Sequence, residues 1–130
     1  MAPDPITAGS PQRPLDEDEK RRLVGVALDS ILYGLRFGES LPVQLGTYSP
    51  RLEVPQACFV TLYRYEELRG CVGTLDATRV LVKQVADSAF DAGFRDGRLP
   101  AVSSSEVREL TIEISLLSEL AAIEVAYWKT

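Results

Sequence analysis

The chain contains no histidine. That excludes a Ser-His-Asp triad, a Cys-His nucleophile pair and any zinc or iron site built on imidazole. Cysteine is scarce as well: two in 130 residues, too few for a four-sulfur metal site within one chain. This is not the cysteine density of a small secreted scaffold stapled by disulfides, so reduced thiols and a cytoplasmic setting are expected. No uncharged apolar run approaches the ~20 residues of a membrane span. Residues 1–14 are rich in proline and lack the apolar core of a signal peptide. Excess positive charge is missing too. Fourteen Lys and Arg stand against nineteen Asp and Glu, a net charge of -5. An acidic balance of that size argues against nonspecific binding to nucleic acid or anionic lipid.

What is present reads as one ordinary soluble domain, with 45% apolar and 25% charged residues. Residues 1–14 are expected to form a flexible tail and residues 15–130 a single domain. Asp16, with Glu19 three residues on, predicts a capped helix start. Val24, Ala27, Leu28, Ile31, Leu32 and Leu35 continue it at helical spacing, and Gly34 and Gly38 mark its end. Residues 39–56 carry three prolines and predict a long extended connection. Ala57 to Tyr65 and Leu68 to Leu75 read as the two strands of a hairpin. A second amphipathic helix is expected over about 78–93, with Thr78 as its cap and Gly93 and Gly97 closing it. Ser103 to Glu106 predict a short capped helical turn. Leu110 to Ser118 alternate strictly and predict a half-buried strand; Glu119 to Thr130 predict another. The order implies an α+β fold, an antiparallel or mixed sheet flanked by helices.

The stretch Leu68-Arg69-Gly70-Cys71-Val72-Gly73 concentrates the chemistry. Two glycines weaken a strand, and make sense where another backbone or a ligand comes close, or where the strand bulges. A turn centred on Glu66-Glu67 would pair Leu62 with Cys71 and Arg64 with Arg69. Cys71, Arg69, Arg64 and Leu62 would then share one face, with two guanidinium groups favouring a thiolate and an anion between them relieving their repulsion. A three-residue turn would flip one strand and remove that argument. In the even register Cys58 lies about 13 Å from the Cys71 pairing position, too far for a disulfide. A lone strand cysteine is otherwise a small buried hydrophobe, and a nucleophile here would need Glu66, Glu67, Glu113 or a tyrosine as its base. Asp91, Arg95, Asp96 and Arg98 form a second polar group, readable as local ion pairs or as ligand contacts.

These residues resemble the AMMECR domain proteins. The hallmark Leu-Arg-Gly-Cys-Ile-Gly stands at 68–73 with Val72 for Ile. Ala57 to Leu62 is similar to the strand before the hallmark. Phe94 to Pro100 resembles the family's Asp-Pro-Arg-Phe-Pro link, and Glu106 to Ser118 its Ile-Glu-Val-Ser strand. The resemblance covers roughly residues 15–118. It implies an AMMECR-domain-like α+β fold without the family's C-terminal glycine-rich and Phe-Leu-Pro-Gln segments, the chain being short or truncated at Thr130. It implies no settled activity and no cofactor. It implies partners: Memo-like and radical S-adenosylmethionine proteins, beside which such domains are often encoded. This chain lacks the three-cysteine motif of a radical enzyme, so iron–sulfur chemistry would belong to a partner. The expected site has Cys71 as nucleophile and Arg64, Arg69, Gly70, Gly73, Asp96, Arg98 and Glu113 around an anionic small molecule. The rival reading is a non-catalytic protein-binding module, with no metal, nucleic acid or membrane involved.

Overall fold

The structure is a computed structural model and describes residues 13–117 and 122–129. Helix α1 (Glu17–Phe37) starts where the sequence places it. Asp16 Oδ1 accepts from the Glu19 N–H at 2.8 Å, and Glu19 Oε1 accepts from the Asp16 N–H at 3.0 Å. Two of the orphan donors of the first turn are thereby satisfied. The helix ends at Gly38, in the left-handed conformation that costs a glycine nothing. The connection after it is not wholly extended: Pro50–Glu53 form a short 3-10 helix.

Strands β1 (Cys58–Arg64) and β2 (Glu67–Gly73) form the hairpin. Helix α2 (Leu81–Phe94) follows, then a second 3-10 helix (Ser104–Glu109), then strands β3 (Leu110–Leu117) and β4 (Ala122–Lys129). Thr78 does not cap α2. Val80 is the N-cap; its hydrocarbon side chain has no acceptor to offer, and the preceding connection supplies one instead, with Leu81 N donating to Val54 O at 2.8 Å. Gly93 lies inside the helix, which ends one residue later.

The four strands pair antiparallel in the order β2-β1-β3-β4. The fold is α+β. One face of the sheet carries Cys58, Val60 and Leu62 from β1 opposite Leu116, Ile114 and Ile112 from β3, all fully buried. Leu23, Ala27 and Ile31 of α1 and Leu81, Val85 and Ala89 of α2 pack on that same face. Both helices therefore cover one side of the sheet, α2 over β1 and β2 and α1 over β3 and β4. Each large aliphatic side chain so buried contributes about 1.5–3 kcal/mol. The helices touch closely at Gly34, where a Cβ would stand 2.5 Å from the Phe94 ring and 2.7 Å from that of Phe90. Ser30 stitches this seam, donating to Ala86 O at 2.7 Å and accepting from Leu41 N at 3.1 Å.

The start of the described chain is anchored. Arg13 pairs with Glu19 at 2.6 Å, and its carbonyl accepts from the buried Arg51. Residues 1–12, where most of the expected tail falls, lie outside the described residues. Among the described residues no helix is long and apolar enough to cross a membrane.

Candidate functional site

The hairpin turn sits one residue earlier than the sequence suggests. Arg64 pairs with Glu67, so the loop is Tyr65-Glu66, both with positive φ (54° and 88°). That is the two-residue hairpin geometry whose twist matches the strands. A register shift follows. Tyr63 pairs with Leu68, but Leu62 pairs with Gly70, leaving Arg69 as the extra residue of a bulge. Cys71 consequently faces Thr61, not Leu62. The expected common face of Cys71, Arg69, Arg64 and Leu62 does not exist. Leu62 is fully buried under the helices, Arg64 shares its side of β1, and Cys71 points to the opposite side.

Each expected site residue has a definite place. Cys71 is half-buried, and its Sγ lies 3.2 Å from the Thr61 hydroxyl. Glu113 pairs with Thr61 on the other flank, so Cys71, Thr61 and Glu113 form one row across β2, β1 and β3. Two strand spacings separate Cys71 from Glu113, about 10 Å, so that carboxylate does not reach the thiol. The Glu113 Oε1 accepts instead from the Ser115 hydroxyl at 3.4 Å. Asp96 meets Cys71 through the backbone: its Oδ2 accepts from the Cys71 N–H at 3.0 Å. The same carboxylate accepts from Arg98 Nε at 2.9 Å and Nη2 at 2.7 Å, a bidentate pair. The Arg98 guanidinium, the Cys71 N–H and the Arg98 N–H together hold the Asp96 carboxyl well below the ordinary carboxylate range. Asp96 is buried, whereas the Arg98 side chain is 64% exposed, so one end of the pair faces solvent.

The two strand arginines are committed elsewhere. Arg69 donates to Glu106 through Nε at 2.7 Å and Nη2 at 3.1 Å, and to the Pro100 carbonyl at 3.1 Å. Arg64 donates to Glu109 at 3.0 Å. The anions that neutralise them are therefore side chains of the second 3-10 helix. The Arg69 guanidinium holds the Glu106 carboxyl down at about 2.

Gly70 and Gly73 are explained by close approach of the chain's own backbone. A Cβ on Gly70 would stand 1.9 Å from the Ala92 carbonyl oxygen of α2, and one on Gly73 2.3 Å from the Cys58 carbonyl oxygen. The thiols differ in environment. Cys58 is fully buried on the helix-covered face, and burial pushes its thiol up to about 12. Cys71 lies on the other face, and neither cysteine is in a disulfide.

Two contributors escaped the sequence reading. Thr61 becomes the partner of Cys71 only through the bulge, and a Tyr-Glu turn carries none of the Asn-Gly or Asp-Gly signals that announce such a loop. Glu106 reads locally as a cap, and it does accept from Ser103 N at 3.2 Å. Its pairing with Arg69, 37 residues away, leaves no local trace.

Comparison with known proteins agrees with this architecture. The AMMECR1 family pattern matches residues 24–130. A protein of Sulfolobus acidocaldarius is 32% identical over 121 residues, covering 88% of this chain and 52% of that protein. One from Methanosarcina mazei is 35% identical over 107 residues, covering 81% of this chain and 54% of its own length. The crystal structure of an uncharacterized protein from Pyrococcus horikoshii superposes with a TM-score of 0.75 at 30% identity, covering 85% of this chain and 56% of that one. The chain thus spans about half the length of the relatives it matches. With the hallmark on β2, the sheet order and the family pattern in agreement, the chain belongs to the AMMECR1 family.

Proposed function

We propose that the sheet face bearing Cys71 is the functional surface of a cytoplasmic enzyme or enzyme subunit, and that it takes an anionic small molecule beside the thiol. The observation that carries this reading is the junction at Cys71. A half-buried thiol has a hydroxyl partner at 3.2 Å, and its own N–H is fixed by a carboxylate whose other partner is the solvent-facing Arg98. Thiol and hydroxyl meet across β2 and β1, and Asp96 holds the Arg98 guanidinium at the adjoining edge of β2. Cys71 serves as the nucleophile or covalent carrier and Arg98 holds the anion. Asp96 keeps both in place. Arg69 and Arg64, paired to Glu106 and Glu109, brace the bulge and the hairpin end that present the thiol. Gly70 and Gly73 let β2 lie close to its neighbours, and Glu113 borders the same row at a distance.

The test uses the charge of an alkylating reagent. Iodoacetate carries a carboxylate and iodoacetamide does not. The ratio of their rates at Cys71 is expected to be higher in the native protein than in Arg98→Gln, by about three- to ten-fold, the scale of a partly screened single charge. An unchanged ratio removes Arg98 as the anion-holding group. Failure of Cys71 to react with either reagent before unfolding removes the thiol.

A second reading has its own support. Tyr65 is 69% exposed and Leu68 41% exposed at the tip of the same hairpin. Apolar groups presented on a rigid turn suit docking onto a protein partner. Memo-like and radical S-adenosylmethionine proteins are the partners that family resemblance suggests. A complex with either that survives Cys71→Ser but is lost in Tyr65→Ser would favour this module over the enzyme.

A further inference from the structure

A cavity of about 280 Å³ opens between the segment leaving α1 and the helix α2, on the helix layer and apart from the Cys71 face. Its apolar element is Phe90, only 5% exposed. Its walls are tied together by Asp87, whose carboxylate is fully used. Oδ1 accepts from the Ser40 hydroxyl and from Lys83 Nζ, each at 2.9 Å, and Oδ2 accepts from Arg79 Nη1 at 2.8 Å. The segment leaving α1 and the run from Arg79 into α2 are joined by one side chain, so the cavity is preformed.

One turn along α2, Asp91 lines the same cavity and is in a different condition. It is half-buried, and its carboxylate takes no hydrogen bond and no ion pair from the described residues. Burial raises its carboxyl above the ordinary range against the pull of Arg95. Arg95 follows at the helical spacing of four, yet it does not close onto Asp91. Its guanidinium lies over the Phe90 ring, 5.1 Å from the centroid, with the residue exposed. A planar donor, in contact with the ring alone, and a carboxylate with no ion pair thus line one cavity beside one aromatic ring. The Asp91 carboxylate, open to the cavity, is available to a charged donor of a ligand.

The choice of ligand follows from the signs and the size. A divalent cation is disfavoured, since no group of three or more carboxylates or thiols converges on one point among the described residues, and Arg95 would repel it. A simple anion would meet Asp91 and Glu39 on the same rim. A ligand with both charges satisfies both groups. The volume lies below the ~300–1,000 Å³ of pockets for drug-sized molecules, so the ligand is small. We propose that this cavity binds a small α-amino acid, its ammonium on the Asp91 carboxylate and its carboxylate on the Arg95 guanidinium. This assignment is independent of the Cys71 reading.

The test is a titration of the 15N-labelled full chain with four probes: free glycine, free L-serine, ethylammonium chloride and sodium acetate. Saturable shifts in the amides of Ser40 and of Asp87 through Arg95 are expected with the two amino acids. Ethylammonium and acetate, each carrying half of the charge pattern, should bind about ten-fold or more weakly, as should both amino acids to Asp91→Asn and to Arg95→Gln. Amide dispersion of each variant checks its fold, and Glu39→Gln, at an exposed position, supplies a third variant. Ethylammonium binding as tightly as the amino acids would leave an amine site and overturn the assignment. The absence of saturable shifts would overturn it, as would shifts that persist unchanged in Asp91→Asn and Arg95→Gln, whereas Glu39→Gln is expected to retain them.

Discussion

At the scale of single residues, the two cysteines illustrate how little residue type says about reactivity. Cys58 and Cys71 stand on neighbouring strands of one hairpin, yet strand alternation and one bulge send them to opposite faces of the sheet. Cys58 is sealed beneath the helices with its thiol held neutral at about 12. The thiolate is the nucleophile, so iodoacetamide at neutral pH is expected to label Cys71 alone in the folded protein and Cys58 only on unfolding. Peptide mass spectrometry across a urea series reads this directly. Labelling of Cys58 below the unfolding transition would contradict the packing described. Gly70 makes a second prediction at this scale. Its absent side chain admits the Ala92 carbonyl, a backbone atom that cannot swing away. Gly70→Ala is expected to destabilise by about 1–3 kcal/mol or more, the range of overpacking, visible as a lower urea midpoint. A midpoint within error of the wild type would mean that α2 and β2 are farther apart than found here.

At the scale of elements, the hairpin is the informative unit. Its loop uses Tyr65 and Glu66 in left-handed conformations that L residues enter at a cost of about 1–2 kcal/mol each. Glu109 offsets part of that cost. The Arg64 guanidinium donates to it at 3.0 Å, and the neighbouring Tyr65 hydroxyl and that guanidinium hold its carboxyl below the ordinary range against the effect of burial. The hairpin end is tethered to the second 3-10 helix by the Arg64–Glu109 ion pair. Glu66→Gly, which relieves one left-handed residue without touching the tether, is expected to stabilise by about 0.5–1 kcal/mol. The measurement is the denaturation midpoint at unchanged m-value, and a fall in the midpoint would refute the turn geometry. The free edge of β2 is managed in the same economical way. The link after α2 supplies Asp96 to the Cys71 N–H, so part of this edge is already occupied, and its Pro100 carbonyl accepts from the Arg69 guanidinium.

At the scale of the whole molecule, two largely buried carboxylates tie distant segments together. Burial pushes the Glu19 carboxyl up, but Arg13, the Ser49 hydroxyl and the Asp16 N–H outweigh it and hold it at about 2. Glu106, held at about 2 by Arg69, ties the second 3-10 helix to β2. Both values lie below the unfolded value of about 4.3. The sign follows: unfolding takes up protons below that value, so the stability from both groups is fully present above about pH 4.3 and lost as pH falls toward 2. Glu19→Gln and Glu106→Gln are each expected to flatten the acid limb of the stability curve between pH 5 and 2 while lowering stability at pH 7. Urea midpoints against pH measure this, and an acid limb as steep as that of the wild type in both variants would remove these carboxylates as its cause.

Local pattern was enough for the elements themselves. The capped start of α1, its end at Gly38 and the alternation of Leu110, Ile112, Ile114 and Leu116 depend on neighbours a few residues apart, where periodicity and capping act. The hallmark at 68–73 was equally readable, as were the strand before it and the strand over 122–129. The faces were not readable. Which side of the sheet Cys71 occupies turns on one extra residue at Arg69, and a one-residue change inverts every side chain beyond it. That bulge is held by Glu106 and Pro100, 37 and 31 residues distant, and by the approach of α2 to Gly70. Helix and strand type are decided by short-range sterics and burial periodicity carried in the chain itself. The assembly of Thr61, Cys71, Asp96 and Arg98 is decided by contacts between segments that meet only when the sheet and its helix layer have packed.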